Sequence, residues 1–177
     1  MAIVIRYAPI LRRLHWLMAI AIALSYLAIE QRGFFARGTP ARFAMIQSHY
    51  WIGLAIFVLA TWRIAQRRRF GAPAITPALP RAQAILSKLT HVALYAMFIV
   101  MPILGISAAW LDGKSVLIPF TQVAIPPLLA ESEQWVHTIE DLHGQIGEIF
   151  YWVIGLHVVA ALYHHFIRRD DTLRRMG

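Results

Sequence analysis

His143 and His157 stand 14 residues apart in one apolar stretch. In a helix 14 residues make close to four turns, so the two imidazoles share a face and lie about 21 Å apart along the axis. One helix then offers ligands at two depths. That arrangement holds two haems stacked in a bundle, each iron taking its second imidazole from another helix. His49 matches His143 in depth, and each has a glycine one turn on, Gly53 and Gly147, where a missing side chain lets a flat macrocycle lie against the helix. At the other depth His157 has two candidate partners, His15 and His91. The residue at i+4 favours His15, because Ala19 leaves room and Tyr95 does not. Two imidazoles per iron leave no open coordination position, so the expected chemistry is outer-sphere electron transfer rather than oxygen binding or peroxide activation.

The remaining titratable residues support fewer chemistries. His164 and His165 are about 100° apart on a helix, so at most one faces the bundle, for contact with a quinone or a propionate or in a plain interfacial role. His137, taken singly, reads as interfacial. Glu140 and His143 form one Glu-x-x-His, but a di-iron bundle needs that motif twice with further carboxylates inside, and Glu148 alone lies in a span. No His-Glu-x-x-His, phosphate-binding glycine loop or nucleophile elbow occurs, which leaves hydrolysis and nucleotide chemistry without support. With no cysteine, the chain cannot hold an iron–sulfur cluster, a thiolate-ligated or covalently attached haem, or a disulfide.

The elements that must position these histidines are membrane helices. Hydrophobic residues make up 59% of the 177 and charged residues 15%, against roughly 45–50% and 25% in soluble domains. A net charge of +8 on so apolar a chain belongs at the ends of buried segments. Apolar stretches at about 14–30, 44–65, 89–111 and 142–167 are each long enough for the ~20 residues that cross ~30 Å of hydrocarbon. All four read as helices, because a lone strand cannot satisfy its backbone in lipid. The expected fold is therefore an all-α integral membrane four-helix bundle in a single domain spanning 1–177, with the lipid bilayer as its first partner. The first span follows Arg12 and Arg13 like a secretory signal, but no small-x-small cleavage site follows it, so it is read as retained. Thirteen Lys and Arg fall on the side of the termini, and Arg32, Arg37, Arg42 and Lys114 on the other, which places both termini in the cytoplasm by the positive-inside rule. The run Arg67 to Arg69 is explained by that topology and not by nucleic-acid binding. Phe70 to Ala84, with Pro73, Pro77 and Pro80, reads as an extended linker, Pro102 and Gly105 as a bend in the third span, and Ser132 with the acids after it as a helix start. Arg12 and Arg13 on the inner side, and Arg32, Arg37 or Arg42 on the outer, are the candidate partners for haem propionates.

Further local matches point to a family. They are Leu14-His15-Trp16; Glu30 with Arg32-Gly33-Phe34-Phe35; His49 with Gly53; His91 with Tyr95, Pro102 and Gly105; Val153-Ile154-Gly155-Leu156-His157; Ala160-Ala161-Leu162 with His164-His165; and Asp171-Thr172-Leu173 with Arg175-Met176. In this order they resemble the bacterial cytochrome b561 family over nearly the whole chain. The resemblance implies two non-covalent haems b with His15, His157, His49 and His143 as axial ligands, in a bacterial inner membrane. It also implies superoxide as donor at the outer haem and ubiquinone reduced near His164 on the cytoplasmic side, as in superoxide oxidases. The competing expectation is a cytochrome b anchor that carries electrons between a peripheral dehydrogenase or hydrogenase and quinone.

Overall fold

The computed structural model describes residues 6–177. Four helices run in order: α1 (Pro9–Gln31), α2 (Pro40–Phe70), α3 (Arg81–Leu111) and α4 (Glu133–Tyr163). The last three have 31 residues each, about 46 Å of helix. That exceeds the ~30 Å of hydrocarbon, so each helix is longer than its apolar stretch and carries polar turns beyond it. Pro9 and Pro40 sit in the first turns of α1 and α2, where the missing N–H costs nothing. Thr39 caps α2 by accepting from the Arg42 amide, and α2 ends at Gly71, whose positive φ of 67° suits glycine and whose amide donates to Arg67 O.

The faces of α1 explain why the bundle belongs in lipid. Leu11, Leu14, Met18, Ser25 and Ala28 are buried, while Leu17, Ile20, Leu24 and Leu27 on the other side are about half exposed. Both stripes are apolar, so only a hydrocarbon surround removes the second from water. The closely packed backbone pairs are α1 with α2, α3 with α4, and α2 with α3. Helices α1 and α4 are instead joined by side chains. Tyr26 donates to the Gly147 carbonyl at 2.9 Å, and Tyr151 donates to Glu30 at 3.2 Å.

Two local expectations change. Arg81–Ala84 are helical and not part of an extended linker, because the fixed φ of Pro80, −55°, suits the entry to α3. Ser132 stands before α4 as expected, but its side chain makes no capping bond; its carbonyl accepts from Trp135 and Val136 instead. Helix α3 runs unbroken through Pro102. The loop after α3 also holds an unforeseen hairpin, β1 (Val116–Leu117) antiparallel to β2 (Ala124–Ile125). Two side chains one turn apart on α2 fasten it: Gln47 bonds Ser115 O and Leu117 N, and Trp51 donates to Leu117 O at 2.7 Å.

After α4 comes a π-helical turn, His164–Arg168, ended by Arg169 at φ 56°. The chain then folds back on the α2–α3 connection. Asp171 and Thr76 exchange two hydrogen bonds, Arg168 donates to Ala78 O at 2.7 Å, and the nearly buried Arg175 donates to Pro73 O at 2.5 Å. Residues 73–83 are thus pinned rather than a free tether.

Asp170, with no exposed side-chain surface, holds the turn together. It accepts from His164 Nδ1 at 2.5 Å and pairs with Arg168 Nε at 2.9 Å. Burial pushes its carboxyl up, but hydrogen bonds from His164 and Thr172 outweigh that and bring it below the usual 3.8. A depressed folded value means the carboxylate stabilises the turn fully above the usual carboxylate range, and that contribution is lost as pH falls through the depressed value. Limited proteolysis of residues 164–177 should therefore be flat around neutrality and accelerate only below about pH 4. In Asp170→Asn the acid-induced acceleration should be absent, with cleavage faster than wild type at neutral pH.

Candidate functional site

The helix faces bring the sequence-chosen histidines into two layers. In one, His49 of α2 faces His143 of α4 with ring centres 6.1 Å apart. In the other, His15 of α1 faces His157 of α4, also at 6.1 Å. Two imidazoles on opposite sides of one metal ion, each with its nitrogen about 2 Å away, set their ring centres about 6 Å apart. Both pairs have that separation. His91 is also close to His157, at 5.4 Å, but it is exposed. His15, His49, His143 and His157 are all partly buried.

Several features suit a flat macrocycle between the imidazoles of each pair. His49 Nδ1 lies 3.1 Å from Ser25 O, a bond that leaves Nε2 with the lone pair a metal needs. Gly53 has nothing within 4 Å of where a Cβ would stand, as expected of a position that leaves room. The missing Cβ of Gly147 faces Met101 Cε at 3.4 Å, and its carbonyl accepts from Tyr26. The glycine that matters for His143 is Gly105 on α3, where a Cβ would stand 2.9 Å from His143 Cε1. The sequence reading assigned Gly105 to a helix bend; its glycine at i+3 from Pro102 carried no sign of the imidazole it meets. Gly105→Ala should force the ring aside, costing about 1–3 kcal/mol by overpacking. The expected readout is a disturbance confined to the His49–His143 pair, with the His15–His157 pair unaltered, seen in the imidazole NMR signals.

The remaining candidates separate. His164 turns to Asp170, while the buried Nδ1 of the neighbouring His165 has no partner, so the two do point differently. His137 is exposed. Two propionate candidates are already engaged: Arg12 donates to Gly177 O, and Arg42 Nη1 donates to Arg32 O at 2.9 Å and Phe35 O at 3.2 Å. Among the described residues no group of three or more His, Asp and Glu is placed to hold a bare metal ion. Paired imidazoles with ring centres 6.1 Å apart are the arrangement present.

Comparison with known proteins agrees with this architecture. Residues 6–177 match the family described as prokaryotic cytochrome b561. Cytochrome b561 homolog 1 of Escherichia coli (strain K12) is 34% identical over 163 residues, covering 92% of each chain. A protein of Yersinia pestis named probable superoxide oxidase CybB is 32% identical over 175 residues, 97% of this chain and 95% of its own. Cytochrome b561 homolog 2 of Escherichia coli (strain K12) is 28% identical over 177 residues, 97% of this chain and 90% of its own.

Proposed function

The chain belongs to the prokaryotic cytochrome b561 family, membrane electron-transfer proteins that bind haem b, and from that premise we propose that it is a superoxide oxidase with two haems b. The observation that carries the two-haem reading is the pair of equal 6.1 Å imidazole separations, four turns apart on α4. The name of the Yersinia pestis relative supports the choice of substrate. In this reading His49 and His143 hold the outer haem and His15 and His157 the inner one, in a bacterial inner membrane with both termini in the cytoplasm. Bound haem b supplies a one-electron carrier at each depth. Two superoxide anions lose one electron each and leave as two O2. Ubiquinone takes both electrons and two protons on the inner side and leaves as ubiquinol. Asp170, by accepting from His164 Nδ1, leaves the opposite nitrogen of His164 to meet the quinone.

The first test combines haem content per chain with a stopped-flow pulse of superoxide on the oxidised protein. Two haems b that reduce within the pulse support the proposal. Two haems that ignore superoxide favour the anchor reading, and no haem overturns both.

The first outer loop carries Arg32, Arg37 and Arg42 against Glu30. That local excess should steer a small anion, so the bimolecular rate should fall as salt shortens the screening length from ~10 Å at 0.1 M towards ~3 Å at 1 M. A rate indifferent to salt would remove the steering. The anchor reading has one observation on its side: Phe120 and Leu128 of the second outer loop are fully or largely exposed, a surface a peripheral partner could cover. Stoichiometric recovery of a soluble redox protein in a native pull-down would favour it.

A further inference from the structure

Arg63 follows His49 by 14 residues on α2, the interval that also separates His143 from His157 on α4. It therefore shares the face of His49 and reaches the level of His15 and His157. Its guanidinium turns across the bundle and donates through Nη1 to the carbonyl of Leu11 on α1, the carbonyl that also accepts the helix bond from the His15 amide. It stands within electrostatic reach of both His15 and His157. Arg67, one turn on, instead lies over the ring of Tyr7 at 5.3 Å.

A guanidinium turned into the bundle from within a membrane span calls for an anion, because a neutral carbonyl alone leaves its charge uncompensated. No side-chain carboxylate among the described residues stands free at this level. Seven of its nine carboxylates, those from Glu30 to Glu148, lie in the outer loops or on the His143 side of the bundle midpoint. The other two are committed elsewhere, Asp170 to His164 and Arg168, and Asp171 to Thr76 and Arg175. Among the described residues Arg63 makes no ion pair. The missing anion must come from a bound group, and a b-type porphyrin between His15 and His157 would bring two carboxylates to this depth.

We infer that Arg63 binds a propionate carboxylate of the inner haem, fixing its orientation and raising its reduction potential. The inference rests on the two-haem reading above. A fixed cation favours the form of the haem that carries the extra electron, so removing it lowers the midpoint of that haem and leaves the outer one, about 21 Å away along α4, nearly unmoved.

The test is a redox titration of the purified protein followed by haem absorbance, with the inner component identified as the one missing from His15→Ala. Arg63→Gln keeps a hydrogen-bond donor without the charge. It should retain both haems, with the inner midpoint shifted to lower potential and the outer one in place. Arg63→Lys should restore most of the shift. Reconstitution with haem whose propionates are methyl esters should erase the difference between wild type and Arg63→Gln. An unmoved inner midpoint in Arg63→Gln overturns the inference, as does a difference that persists with the esterified haem. Loss of the inner haem from both the Gln and Lys variants also overturns it, since the bond to Leu11 would then be what matters. A wild-type protein without haem overturns the two-haem reading itself, and is seen before any variant is made.

Discussion

Replacing His143 with alanine should leave one haem per chain instead of two. His143 meets His49 at 6.1 Å, and no other histidine stands in their layer to replace it. His137 is six residues back, about 120° away from the face of His143, and is exposed. The Ala variant therefore leaves one imidazole and an open coordination position, and a non-covalent haem held by a single ligand dissociates on purification. His49→Ala should give the same result. In both, the haem that remains is the one between His15 and His157, so haem content falls by half. Superoxide-driven ubiquinol formation should fall by more than the 10–100-fold typical of losing an outer-shell partner. Pyridine haemochrome analysis against protein concentration checks the stoichiometry. Free haem added together with imidazole, which fits the vacated volume, should restore part of the spectrum. Retention of two haems in either variant removes the outer pair from the proposal.

His15→Ala should remove the inner haem, and His91→Ala should not. Both side chains lie near His157, and the sequence places them at the same depth and favours His15 only through the smaller residue at i+4, so the sharper distinction rests on geometry. His15 has the 6.1 Å separation seen in the outer pair, whereas His91 lies at 5.4 Å, short of the about 6 Å that an intervening metal ion requires. His91 is exposed, while His15 is partly buried next to Leu11 and Leu14 on α1, which are almost wholly enclosed. The expected haem contents are one per chain for His15→Ala and two for His91→Ala, with at most a small spectral shift in the latter. The reverse pattern would transfer the ligand role to α3 and leave Arg63 anchored to the wrong side of the site.

The two glycines near the outer pair show where reading the residues in order falls short. Gly53 and Gly147 both follow a histidine by one turn, and the pattern cannot say which neighbour each one meets. In the folded bundle Gly53 faces open space, Gly147 faces Met101, and the close approach to His143 is made by Gly105 from another helix. The clasp at the far end is a second case. Asp171 and Arg175 belong to a sequence motif, but their partners Thr76 and Pro73 lie about a hundred residues earlier. Hydrogen bonds of that span leave no local periodicity to read.

Local rules were enough for the helical spans, for the shared face of His143 and His157, and for the depths of His49 and His15, because hydropathy and the 3.6-residue period act within one segment. What the tertiary structure alone decided is how each helix is rotated about its axis: that His15 and not His91 has the spacing of a ligand pair, that Gly105 meets His143, and that Arg63 turns inward. The physical reason is visible in α1, where the buried Leu11, Leu14 and Met18 and the exposed Leu17, Ile20 and Leu24 are equally apolar. In a soluble helix the polar face marks the outside. In a membrane helix both faces are oily, so the rotation is set by packing between helices, which no single segment encodes.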